Sequence, residues 1–159
     1  MEKFPHYQES EQRKIENRIG LFVPSDFEGA SVLDLGCNSG EMLVQAKSWG
    51  AREIFGVEYD KDVILPDRNI MLADLDTVDW NTLPCADVVM LLAVTHWVKE
   101  PKRLCKMAEQ KCKKVFYYEG HQQEYVPDNF AELFGGSKMK WEKLGENPER
   151  RPFYRGTWV

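Results

Sequence analysis

The sequence has no apolar run of the roughly 18–20 residues that a membrane span requires. Its longest, Ala86 to Val94, is interrupted by Asp87. The opening Met1-Glu2-Lys3-Phe4-Pro5 turns polar at once, without the apolar centre and small-residue cleavage pattern of a secretory leader. A cytoplasmic location and no membrane partner are the expectation. Soft metal ligands are scarce too. Cys37, Cys85, Cys105 and Cys112 form no C-x-x-C pair, and His6, His96 and His121 are the only histidines, so no metal site is expected. Positive charge is not in excess either: the net charge is -5, which argues against gripping nucleic acid by counterion release. Internal repeats, low-complexity tracts and linker-like stretches are absent as well.

What is there is enough for one buried core. A length of 159 residues fits a single domain, 1–159. From Ser10 to Phe22, Ile15, Ile19 and Phe22 recur at helical spacing, with Glu11, Arg13, Lys14, Glu16 and Arg18 on the other face; an amphipathic helix is predicted before the sheet. Ser31 to Leu35 reads as a buried strand ending in glycine, and Glu41 to Trp49 as a helix closed by Gly50. Further strands are predicted at Glu53 to Val57 and Ile70 to Ala73, ending on Glu58 and Asp74. Between them Asp60 to Leu65, stopped by Pro66, leaves room for one or two helical turns. Ala86 to Leu92 is a fourth strand, Pro101 to Cys112 a helix that begins on proline, and Val115 to Tyr118 a fifth strand. Cys105 and Cys112, seven apart, are both expected to face the core as small hydrophobes.

Strands alternating with helices imply a parallel sheet covered on both faces. The end of the chain breaks the rhythm. A helix is predicted over Val126 to Phe134, but Lys138 to Leu144 and Phe153 to Val159 are strands joined only by the polar loop Gly145 to Pro152. So short a connection cannot cross over, and the two must pair antiparallel. The expected fold is α/β: a three-layer α/β/α sandwich whose mostly parallel seven-strand sheet ends in an antiparallel hairpin.

An open parallel sheet binds ligands at the carboxyl ends of its strands, where the strand order reverses. At the first such end stands Asp34-Leu35-Gly36-Cys37-Asn38-Ser39-Gly40. A dinucleotide fingerprint would need glycine where Asn38 and Glu41 stand, and a P-loop would need a Gly-Lys-Ser/Thr ending. A ligand without a pyrophosphate is therefore favoured. The run resembles the first motif of the class I S-adenosylmethionine-dependent methyltransferases, written D-x-G-C-G-x-G, with Asn38 in place of the middle glycine; Asn tolerates left-handed backbone better than most residues. The resemblance implies that S-adenosylmethionine is the cofactor. It implies that Asp34, Gly36, Cys37, Asn38 and Gly40 line its site, that Glu58 meets the ribose hydroxyls with Tyr59 beside it, that Asp74 meets the adenine amino group with Leu75 beside it, and that Leu92 closes the fourth strand's side.

The substrate side should begin at Leu92-Ala93-Val94-Thr95-His96-Trp97-Val98, which is similar to the stretch after the fourth strand in methyltransferases acting on small molecules. His96 has the unperturbed pKa of about 6.5 that suits a general base, or else it holds a loop in place; Trp97 is read as packing. Glu119, after the fifth strand, is a second catalytic candidate and is similar to an acid found there in RNA-cap and tRNA-modifying relatives; with His121 it could line an acceptor pocket. Asp74, Asp76 and Asp79 read as solvated charge and helix capping. Lys99, Lys102, Arg103 and Lys106, and then Lys111, Lys113 and Lys114, read as solvated faces.

Methyl transfer to a small-molecule acceptor by a monomer or homodimer is the expectation. A non-catalytic S-adenosylmethionine-binding partner or regulatory protein, and an RNA- or tRNA-modifying methyltransferase, stand as alternatives. Met1 to Val23, the only material outside the core fold, is expected to cover the acceptor pocket.

Overall fold

The computed structural model describes residues 15–121 and 129–159. Seven strands form one sheet: β1 (Ser31–Leu35), β2 (Glu53–Glu58), β3 (Ile70–Leu72), β4 (Ala86–Leu92), β5 (Cys112–Glu119), β6 (Met139–Glu146) and β7 (Pro152–Trp158). Their order is β3-β2-β1-β4-β5-β7-β6. The first five run parallel, and β7 lies antiparallel to both β5 and β6. The helices are α1 (Glu41–Ser48), α2 (Pro101–Lys111) and α3 (Phe130–Leu133). This is the three-layer plan with a terminal hairpin that the strand and loop lengths imply.

Side chains alternate across the sheet, so each central strand feeds two cores. On one face Leu33, Leu35, Val89, Leu91, Phe116 and Tyr118 pack with Leu104, Cys105 and Ala108 of α2 and with Leu133 of α3. On the other, Val32, Val88, Met90 and Tyr117 pack with Leu43 and Ala46 of α1 and with Phe22 and Phe27 of the preceding segment. Each fully buried Leu or Phe contributes about 1.5–3 kcal/mol relative to exposure. Burial on both faces explains why β1 and β4 read as nearly continuous apolar runs.

Four sequence expectations need correction. Of the helix predicted over Ser10 to Phe22, residues 10–14 lie outside the described ones. The rest forms two 3₁₀ turns, Ile15–Asn17 and Ile19–Leu21, closed by i→i+3 bonds such as Leu21 N–H to the Arg18 carbonyl at 2.9 Å. Gly20 weakens an α-helix by about 1 kcal/mol, and tertiary anchors override what remains of the period. Phe22 packs on Tyr117 and Phe153, with ring centroids 4.7 and 4.9 Å away, and Arg18 reaches across to Glu119. Between β2 and β3 the expected short helix is absent. Asp60 Oδ1 accepts the Asp62 N–H at 2.9 Å, an Asx turn that competes with helix, and Pro66 disfavours helical backbone at Leu65 before it. Finally, α3 spans only Phe130–Leu133; residues 126–128 of its predicted range lie outside the described ones. Cys112 is buried as expected, but it opens β5 rather than closing α2.

Candidate active site

β1 has β2 on one side and β4 on the other, so the strand order reverses beside β1, and the turn after it faces the resulting crevice. Within this turn three residues are left-handed: Gly36 at φ 79°, Asn38 at 54° and Gly40 at 83°. The strand hydrogen bonding continues into the turn, with the Gly36 and Cys37 N–H groups donating to the Val57 carbonyl at 2.8 and 3.0 Å. Gly36 is restricted twice over, because a Cβ there would also stand 2.7 Å from Val94 Cγ2. Gly56, which no sequence expectation singles out, matters as much: a Cβ would stand 2.6 Å from Cys37 Sγ and 2.8 Å from Leu43 Cδ1. Its signal is a glycine inside a strand pattern, which often marks a close approach. Cys37 is buried under the turn, and burial pushes its thiol far up, so it packs rather than reacts.

Glu58 ties the first two strand ends together. Its carboxylate is buried and accepts the Asn38 N–H at 2.9 Å and the Tyr59 N–H at 2.7 Å. Asp74 Oδ1 accepts the Asp76 N–H at 2.9 Å. Asp76 Oδ1 in turn accepts the Lys99 N–H at 2.9 Å, which fixes the third strand end to the chain beyond β4. Asp79 caps a 3₁₀ turn by accepting the Asn81 N–H at 3.0 Å.

These turns enclose a cleft of about 580 Å³, with Asp34, Cys37, Asn38 and Leu92 on its walls and Ile15 and Arg18 along one side. Val57, Glu58, Tyr59, Asp74 and Leu75 line a narrow adjoining cavity of about 30 Å³ with Val94 and Trp97, and Gly36 belongs to both linings. Gly40 caps the start of α1. Among the described residues, neither lining includes His96 or Glu119. Asp34 is almost wholly buried. Burial raises its pKa to about 7, with Arg18 opposing the rise and Glu58 adding to it.

Beyond β4 the backbone is strained at Ala93, a non-glycine residue at φ 57°, held there by its N–H bond to the Glu119 carbonyl at 2.9 Å. Such outliers concentrate at functional sites. The exposed His96 ring stacks on His121 with centroids 3.9 Å apart and planes 20° apart, and Trp97 flanks it at 4.7 Å. Glu119 is fully buried, with Arg18 Nη2 3.0 Å and Arg151 Nη1 3.8 Å from Oε1. Burial raises its pKa, and the two guanidinium groups oppose the rise. Neither arginine stands out in the sequence: Arg18 reads as part of a solvated helix face and Arg151 as loop. No local pattern could find them, since the Arg18 to Glu119 pair spans 101 positions.

A family model described as a methyltransferase domain matches residues 7–147 of the chain. Among solved structures, the bifunctional kinase-methyltransferase WbdD superposes with a TM-score of 0.71 and 22% identity over 92% of this chain and 40% of its own. Streptomyces venezuelae DesVI gives 0.70 at 13% identity, covering 91% and 90%. Magnesium protoporphyrin IX methyltransferase of Synechocystis PCC 6803, solved with bound SAM, gives 0.66 at 14%, covering 89% and 76%. At these identities the likeness is one of fold. A curated relative, ribosomal protein L11 methyltransferase of Mannheimia succiniciproducens, is 41% identical over 44 residues, or 28% of this chain. The chain spans only 15% of that relative's length and 40% of WbdD's.

Proposed function

The chain belongs to the methyltransferase-domain family, and from that premise we infer that it transfers a methyl group from S-adenosylmethionine to a small-molecule acceptor. One observation carries this reading: Asp34, Glu58 and Asp74 stand at three successive strand ends around one glycine turn at the point where the strand order reverses. Glu58 and Asp74 also accept neighbouring backbone N–H groups, but such capping does not account for the buried Asp34 beside them.

The residues present fit the cofactor. A cleft of about 580 Å³ lies in the range that holds ligands of this size. The adjoining cavity combines the apolar Val57, Leu75 and Val94 with two carboxylates, as a nucleoside with hydroxyl and amino donors requires. Glu58 would accept from the ribose, Asp74 from the adenine amino group, and Asp34 would face the cationic end. When bound, S-adenosylmethionine supplies a methyl group on a sulfonium whose leaving group departs neutral. The protein then needs chiefly to align the reactants, worth roughly 7–11 kcal/mol in the best oriented cases.

His96 is the side chain we assign to taking a proton from the acceptor. It is exposed at the carboxyl end of β4, and the His121 stack fixes its ring. Glu119 takes a different role from the proton acceptor expected from the sequence. Enclosed by Arg18 and Arg151, it positions the segment over the cleft. Residues 15–23 of that segment are the cover, held by Arg18 at one end and by the Val23 N–H to Tyr117 hydroxyl bond at the other, 3.1 Å long. A covered cleft and a net charge of -5 support a small acceptor over a nucleic acid.

Titration calorimetry with S-adenosylhomocysteine tests the reading. The intact protein should bind, and Glu58→Gln should bind about 10–100-fold more weakly, the loss of a bond to a charged acceptor. Absence of binding by the intact protein would sink the proposal. Mass spectrometry of a metabolite extract incubated with the protein and cofactor should show products heavier by one methyl, which a non-catalytic binder would not yield.

A further inference from the structure

The solvent face of α2 is charged against its own helix. Lys102 and Arg103 stand in its first turn, which holds no acidic residue, although a helix N-terminus carries partial positive charge and favours acids. Lys106 follows Lys102 by four positions and Arg103 by three, and Lys99 lies just before the helix. Like charges at such helical spacing repel. All four side chains are exposed, and among the described residues none of them forms an ion pair or a side-chain hydrogen bond. The one acid within α2, Glu109, accepts from the Ser137 hydroxyl instead.

The other end of the helix is the reverse case. Lys111, where a cation is favoured, donates to the Leu83 carbonyl at 2.9 Å, and Lys114 beyond it stands 3.8 Å from Asp87. Those cations serve the fold. The four at the start of α2 oppose it, in a chain whose net charge is -5. They also stand beside the cleft: α2 follows the turn Thr95–Trp97 at the carboxyl end of β4, and the Lys99 N–H donates to Asp76 Oδ1 at 2.9 Å, which fixes the start of the stripe at the rim.

Spacing and residue type indicate what it meets. Cations three and four positions apart match carboxylates on a second helix laid alongside, which repeat at the same rise of about 1.5 Å per residue. Three of the four are lysines, point charges, whereas bidentate recognition of phosphate is the work of arginine. We propose that Lys99, Lys102, Arg103 and Lys106 form a docking site for the acidic helical face of a partner protein, held at the rim of the cleft. The inference does not depend on methyl transfer, because its test reads binding to the protein without cofactor.

Fluorescence anisotropy tests it with three probes: an alanine-based helical peptide of about 20 residues with glutamates at i, i+3, i+4 and i+7 on one face, a peptide of the same composition with its glutamates dispersed around the helix, and oligouridylate of about twelve nucleotides. At about 0.01–0.1 M salt, where charges act over roughly 10–30 Å, the protein should bind the one-faced peptide about tenfold more tightly than the dispersed one. Lys102→Glu combined with Arg103→Glu should abolish that preference, while Lys113→Glu, in β5, should leave it unchanged. The same double variant should melt at a higher temperature than the wild type, because it places acids in the first turn; loss of binding then cannot be loss of fold. Equal affinity for the two peptides, or a preference that survives the double variant, overturns the docking site. Tighter binding of oligouridylate than of the one-faced peptide, lost in the double variant, overturns the acidic protein as occupant and makes the stripe a nucleic-acid contact. A lower melting temperature in the double variant shows the cations to be structural and overturns the proposal as well.

Discussion

The two halves of the cleft are built on different length scales. On the β1–β2 side the parts are near in sequence and joined through backbone: Asn38 donates to Glu58 twenty positions on, and Glu58 accepts the N–H of its own neighbour, Tyr59. On the β4–β5 side they are side chains far apart, with Arg18 on Glu119 across 101 positions and Arg151 approaching the same carboxylate from the β6–β7 turn. A backbone turn needs glycine, Asn or a capping acid at set offsets, and so leaves a pattern. A long-range ion pair constrains only two residues and leaves none.

Removing Glu119 separates the halves most sharply. Glu119→Ala leaves two buried guanidinium groups without their carboxylate, and breaking a buried pair in this way costs about 3–5 kcal/mol. Urea unfolding should report that loss, with Glu119→Gln losing less because its amide oxygen still accepts. Proteolysis should increase within residues 15–23, since Arg18 loses its anchor, while the glycine turn stays protected. Equal protection of both regions in the variant would mean that residues 15–23 do not depend on the pair.

The same division explains what is legible in the sequence. All seven strands can be read because each central one is buried on both faces and bounded by glycine, proline or an acid. The hairpin is implied by loop length alone. The segment 15–22 misleads because Ile15, Ile19 and Phe22 fit a helical period, whereas their packing is set by Tyr117, Phe153 and Glu119, residues that no window around position 18 contains. Asp60 to Leu65 misleads for a local reason, the preference of Asp60 for its own Asx turn. Gly56 leaves a readable sign, a glycine within a strand, but its partner Cys37 Sγ lies in another turn.

Asp34 belongs to the first half but is in the field of the second, with Arg18 and Glu58 as the charged groups facing it. Its folded pKa is about 7 against an ordinary 3.8, so between those values the folded protein keeps a proton that the unfolded chain has released. Its contribution to stability is therefore complete below about pH 4 and is lost as pH rises to about 7, on the order of 4 kcal/mol in all. Asp34→Asn carries no titrating proton and should flatten the stability profile across that window in thermal or urea melts. Affinity for S-adenosylhomocysteine should move the other way in the wild type, rising with pH as the carboxylate ionises to meet the ligand's ammonium. In Asp34→Asn that rise should be absent.

The smallest effect is expected at Asn38, the one departure from glycine in the turn. At φ 54° a β-branched side chain would cost roughly 1–2 kcal/mol, and Asn38→Val should show it. Asn38→Gly should not, because two small terms oppose each other. Glycine relieves the residual strain of a left-handed side chain, but it adds unfolded-state entropy worth about 0.4–1 kcal/mol and removes the bond from the Ser39 N–H to Asn38 Oδ1, 2.7 Å long. The tie to Glu58 runs through the Asn38 backbone N–H and survives either substitution. Stability should therefore change by no more than about 0.5 kcal/mol, and S-adenosylhomocysteine affinity by less than about twofold. A large loss of affinity in Asn38→Gly without a loss of stability would show that the Asn38 side chain itself meets the ligand, and that this half of the cleft is not built from backbone alone.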